Sequence, residues 1–180
     1  MFHVTERLLL RPSWPEDADA LFGGIADECV VRNLARAPWP YLPKHACEFV
    51  GRDQDPRLPN FLMTLPGDDG SRIIGSISLG ETDTGVELGY WIARPFWGKG
   101  FATEAGKGLI EVARLLGHRS LEAGHFLDNP ASGRVLRKLG FQPTGKVAKR
   151  HSCGRGEAVD CALYRLDLDE NAAMTPQLAA

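Results

Sequence analysis

The chain has 180 residues, 43% of them apolar, and a formal net charge of -2. That length suits one domain with a real core. The near-neutral charge argues against a nucleic-acid grip, which needs a basic face, and no apolar run approaches the roughly 18 residues of a membrane helix.

The opening MFHVTERLLLRP carries Glu6, Arg7 and Arg11, and its apolar stretch is too short for a signal peptide. Residues 4 to 10 read as a first strand. Pro12 and Pro15 punctuate it, and a short helix follows from Glu16 to Ala26. A Pro- and aromatic-rich loop, APWPYLPKHACEFVGR, enters a helix near Lys44. NFLMTL, RIIGSISLG and VELGYWIA read as three strands joined by the turns PGDDGSR and GETDTG, an antiparallel meander. Thr103 to Leu116 has helical spacing and stops at Gly117. SLEAGHFLD reads as a strand. NPASGRVLRKLGF reads as a compact helix, with Asn129 as N-cap, Pro130 at the first position and Gly140 past the end. Two last strands, near Gln142 to Ala148 and Ala158 to Asp167, are joined by HSCGRGE. The basic cluster around Lys146 to Arg155 reads as a solvated hairpin rather than an RNA site.

This order predicts an α+β domain over residues 1–168, with a twisted mixed sheet of about seven strands flanked by helices. Residues 169–180 lack an apolar pattern and are expected to form a disordered tail. Cys29, Cys47, Cys153 and Cys161 form no CxxC pair and no zinc-like spacing with histidine. A cytoplasmic protein with reduced thiols and no metal is expected.

Strand VELGYWIA runs through ARPFWGKG into a helix. A helix start exposes unpartnered N–H groups and the positive end of the macrodipole. Gly98 and Gly100 let the backbone approach an anion, and Lys99 adds charge. The P-loop pattern fails, because Gly100 follows Lys99 and Ala93 holds the first glycine position. The dinucleotide fingerprint fails at Thr103. GKGFA, Gly98 to Ala102, fits the G-x-G-x-[AG] turn that receives the pyrophosphate of coenzyme A.

With TERLLLRPSWPEDADALF, IIGSISL, VELGYWIARPFWGKGFATEA, HRSLEAGHFLDNPASGRVLRKLGF and VDCALYRL in that order, the chain resembles the GNAT superfamily of acetyl-CoA-dependent N-acetyltransferases over roughly residues 4 to 168. The likeness is to the type that includes the ribosomal-protein alanine N-acetyltransferases (Rim type). Pro95 stands at the first position of the superfamily's [QR]-x-x-G-x-[GA] turn and removes one backbone donor.

The resemblance implies acetyl transfer from acetyl-CoA to a primary amine, by direct attack in a ternary complex. The amine would belong to a protein N-terminus or a small molecule, and a homodimer fits the family. No nucleic acid or membrane partner is implied. Trp91, Ile92 and Ala93 would hold the pantetheine arm through their backbone. Gly98, Lys99, Gly100, Phe101, Ala102 and Thr103 would hold the pyrophosphate, and Asn129 would contact the pantetheine region. Glu87 matches the family's strand base, in an apolar strand where burial favours the neutral carboxyl; Glu81 is a second choice. The family's tyrosine acid, seven residues after the asparagine, is replaced by Leu136, so Ser132 is the candidate partner for the leaving thiolate, with Tyr90 and Tyr164 as fallbacks. Trp39, Tyr41 and Tyr90 are candidate acceptor contacts, and the histidines read as structural or surface residues. The alternative is a non-catalytic CoA- or acyl-CoA-binding module that keeps the glycine turn and makes no use of Glu87 and Ser132.

Overall fold

The computed structural model describes residues 1–67 and 70–169. The expected tail from Glu170, and Asp68 and Asp69 of the expected PGDDGSR turn, lie outside the described residues. The first strand is a correction to the sequence reading. It is a tight hairpin of β1 (His3–Val4) and β2 (Leu9–Arg11), with His3 opposite Leu10. The Thr5 N–H donates to the Leu8 carbonyl at 2.9 Å, and the Thr5 hydroxyl accepts from the Leu8 N–H at 3.0 Å. A side-chain oxygen that can close a local turn competes with an extended run. Among the described residues the sheet therefore has eight strands where about seven were expected.

The meander follows as expected, with β3 (Asn60–Leu65), β4 (Arg72–Thr82) and β5 (Gly85–Ile92). After β6 (Ser120–Phe126) come β7 (Gln142–Ser152) and β8 (Glu157–Asp167), and the spatial order is β1-β2-β3-β4-β5-β6-β8-β7. Every neighbouring pair is antiparallel except β5 and β6.

Helices cover both faces. On one face α1 (Ala18–Ile25), α2 (Glu28–Val31) and α3 (Pro43–Val50) pack with Leu62, Ile73 and Trp91. On the other, α4 (Phe101–Leu115) and α5 (Pro130–Lys138) pack with Leu10, Met63, Ile74 and Leu88. The period of two explains the split: Leu62 faces one layer and its neighbours Phe61 and Met63 the other. Each fully buried aliphatic side chain here contributes about 1.5–3 kcal/mol. The four-residue α2 was not foreseen. Its Asp27 cap, which accepts from the Cys29 N–H at 2.8 Å, was its main sequence signal.

One topological feature positions the cleft. β5 and β6 run parallel but share a single paired position, Glu87 with Glu122. Beyond it the two strands part, and the remaining edge of β5 faces a gap.

Candidate active site

The turn after β5 is built for an anion. Gly98 and Gly100 have φ of 74° and 83°, the left-handed region that glycine tolerates. Gly100 is the N-cap of α4 and supplies no side-chain cap, so the first-turn amides of Phe101, Ala102 and Thr103 are left for a ligand. The N-terminal hairpin braces this turn. Arg7 donates to the Lys99 carbonyl at 3.2 Å, pairs with Glu104 at 2.6 Å and lies over the Phe101 ring at 4.4 Å. Glu104 also accepts from the Thr5 hydroxyl and the Arg7 N–H. Burial works against its charge, but the Thr5 and Arg7 hydrogen bonds outweigh burial and hold its pKa below the usual value. Sequence reading missed this brace, because its halves lie 97 positions apart.

From the turn a cleft of about 1120 Å³ passes through the β5–β6 gap to the α1–α3 face. Its walls include Tyr90, Trp91 and Ile92 on one side and Gly124, His125 and Phe126 on the other. The Ala93 N–H donates to the Ile74 carbonyl at 2.8 Å, toward β4. By strand alternation the N–H groups of Ile92 and Tyr90 point to the opposite edge, into the gap. The Ile92 carbonyl on that edge accepts from the Trp97 indole at 2.6 Å. Of the three backbone positions proposed for pantetheine, Ile92 thus has the amide best directed toward the gap.

β5 carries different chemistry on its two faces. Tyr90 points toward α5, where its hydroxyl meets the Ser132 hydroxyl at 2.8 Å. Burial raises the Tyr90 pKa, against a smaller lowering by the Ser132 hydrogen bond, so the phenol stays protonated. Asn129 caps α5 through its carbonyl oxygen, which accepts from the Ser132 N–H at 3.3 Å. Its amide nitrogen has no hydrogen-bond partner among the described residues. Leu136 is 1% exposed core, in place of the family's tyrosine.

Glu87 lies on the other face, with Trp91. There it meets a partner that the sequence reading had assigned to a solvated hairpin. Lys149 and Arg155 of that hairpin do lie at the surface in part, pairing with Asp160 at 3.0 Å and Asp128 at 2.8 Å. Arg150 instead turns inward, runs across the sheet and forms an ion pair with Glu87 through Nη1. Gly124 lies beside this route: a Cβ there would sit at ordinary contact distance from Arg150 Nη1, 3.5 Å, but only 2.8 Å from Cys161 Sγ, so the glycine makes room for Cys161. Ser152, two positions on in the same strand, is fully buried, and that inward parity was the available signal.

The remaining sequence candidates divide plainly. Trp91, Ile92, Gly98, Gly100, Phe101, Ala102, Thr103 and Asn129 line the cleft, as do Glu87, Tyr90, Ser132 and Tyr41. Ala93 is buried and lies outside the lining, and Lys99 lies 5.4 Å from the Phe96 ring. Tyr41 is packed against Phe22 and His45 at 6.5 and 5.4 Å between ring centroids. Trp39 is 40% exposed and does not line the cleft, nor does the exposed Glu81. The buried Tyr164 hydroxyl accepts from Arg137 at 3.2 Å. Among the described residues no cluster of three metal-ligating side chains occurs, and no helix is long and apolar enough to cross a membrane.

Residues 7–142 match the family model described as an acetyltransferase (GNAT) domain. The chain belongs to the GNAT acetyltransferase family. It is 28% identical over 169 residues to the uncharacterized N-acetyltransferase YoaA of Bacillus subtilis (strain 168), covering 90% of this chain and 94% of that one. A GNAT-family acetyltransferase structure from Bacillus anthracis superposes with a TM-score of 0.80 at 23% identity, over 94% of this chain and 99% of that one. The RimL ribosomal L7/L12 alpha-N-protein acetyltransferase in complex with coenzyme A gives 0.78 at 18% identity, over 94% and 99%. This GNAT protein is an acetyl-CoA-dependent acetyltransferase. Its own residues fit that co-substrate: two left-handed glycines and uncapped amides suit a diphosphate, and the unpaired edge of β5 suits an amide-bearing arm.

Proposed function

We propose that this GNAT enzyme acetylates a primary amine by direct attack within a ternary complex, with Glu87 as proton acceptor and the Tyr90–Ser132 pair as proton donor. The observation that carries this reading is the two-faced β5: a carboxylate opens on one side of a single continuous cleft and a hydroxyl pair on the other. Acetyl-CoA, when bound, supplies an acyl thioester. The uncapped start of α4 holds its diphosphate, and the Tyr90 and Ile92 amides face its arm. Glu87 gives one oxygen to Arg150, while Oε2 has no partner among the described residues and is available to a water or the amine. As the C–N bond forms and the C–S bond breaks, the amine's proton passes to Glu87, the Tyr90–Ser132 pair hydrogen-bonds the departing sulfur and gives it a proton, and the proton held by Glu87 returns through solvent to restore the pair.

The alternative is a module that binds acyl-CoA without turnover. Thiol release with a panel of amines decides between the two. Acceptor-dependent release is expected; acetyl-CoA binding with no acceptor anywhere in the panel would favour the module.

A further inference from the structure

Arg150 is spent only in part by its ion pair. Nη1 holds Glu87, whereas Nε and Nη2 make no hydrogen bond among the described residues, and no side-chain nitrogen or oxygen of those residues is both fully buried and unpartnered. Arg150 also lines the cleft, on the face where Glu87 opens. The acceptor side of the gap therefore ends in a dyad with one spare cationic edge and one spare anionic oxygen. Such a dyad has no net charge, and a plain ammonium gains little from it, because Arg150 repels what Glu87 attracts. A molecule with both charges gains from both, and the guanidinium fork matches a carboxylate better than any other common anion bar phosphate. The rim does not override this. Arg36 and Arg52 there are offset by Glu48, Asp53 and Asp55, all exposed.

We infer that the acceptor is a small zwitterion, a free amino acid or a close analogue with a carboxylate a few bonds from its amine, and that Arg150 selects it by binding the carboxylate while Glu87 faces the ammonium. One feature of the fold serves this arrangement: the parting of β5 from β6 opens the dyad to the cleft. A peptide N-terminus lacks the nearby carboxylate and meets Arg150 with like charge. This inference rests on the role given to Glu87 above, and it narrows the acceptor class of the same site.

The test pairs each common amino acid with its carboxamide and with a dipeptide bearing it at the N-terminus, assayed by thiol release with the wild-type protein, Arg150→Met and Arg150→Lys. Acetyl-CoA binding is followed separately by calorimetry, and thermal melts check folding. At least one free amino acid is expected to be acetylated, with kcat/KM about tenfold or more above its amide and dipeptide. Arg150→Met frees Glu87 for every acceptor, so the diagnostic is the difference between acceptors: KM for the free acid should rise by about the same factor more than KM for the amide, with Arg150→Lys in between. Equal use of acid, amide and dipeptide, equal losses on all three in Arg150→Met, or no acetylated amino acid despite acetyl-CoA binding would each overturn the inference. Failure of acetyl-CoA to bind would instead bring down the functional reading beneath it.

Discussion

At the scale of single residues, the proposed proton traffic is divided between the two faces of one strand. Glu87→Gln keeps the shape and one hydrogen bond to Arg150 but removes the proton acceptor. We expect kcat to fall by about 10²-fold or more, with acetyl-CoA affinity unchanged; steady-state kinetics beside calorimetry checks it. Tyr90 and Ser132 share a 2.8 Å hydrogen bond, so their effects should not add. Tyr90→Phe and Ser132→Ala should each slow turnover, and the double variant should be little slower than the worse single one. Fully additive losses in that cycle would mean that only independent roles remain for the two hydroxyls.

At the scale of elements, the decisive unit is the β5–turn–α4 segment. The uncapped first turn of α4 follows a loop that the β1–β2 hairpin braces, through Arg7 on Lys99 and Glu104. Gly100→Asp would set an anion at the proposed diphosphate cradle and strain a φ of 83°. Calorimetry should show binding of coenzyme A lost while circular dichroism remains that of a folded protein. α5 works differently. Its Asn129 cap spends the side-chain carbonyl on Ser132 N–H, which orients Ser132 toward Tyr90 while leaving the amide nitrogen for the cleft.

At the scale of the whole molecule, buried charges set the response to acid. Arg11 and Asp17 form a two-pronged pair at 2.7 Å, with side chains only 8% and 11% exposed, and the Trp14 N–H also donates to Asp17. Burial alone would raise the Asp17 pKa, but the Arg11 hydrogen bond, with Trp14 and the Arg11 charge, takes it below the ordinary 3.8. Glu104 and Asp128 are also lowered, Asp128 chiefly by its Arg155 hydrogen bond. A folded-state pKa below the unfolded one means stability that is present above the unfolded value and lost as pH falls through the folded one. Urea midpoints should therefore hold above about pH 5 and drop steadily as the buffer passes below the carboxylate values of 3.8 and 4.5. Asp17→Asn, which strands Arg11 in the interior, should cost about 3 kcal/mol at neutral pH and flatten part of that slope.

What the chain order determined by itself was local. The meander, the glycine turn into α4, and the Asn129-capped α5 each rest on contacts within a few residues, where turn chemistry and periodicity act directly. The alternation of β5 was legible too, and it separates Glu87 from Tyr90. The tertiary structure alone decided which groups meet across long intervals of chain. Arg150 reaches Glu87 from 63 positions away, Tyr90 finds Ser132 from 42, and Arg7 grips Glu104 from 97. Strand order creates those meetings, and it depends on how the sheet closes around β6 and β8 rather than on any local preference. The same holds for the cleft, because a gap between two parallel strands is a property of their pairing and not of either strand.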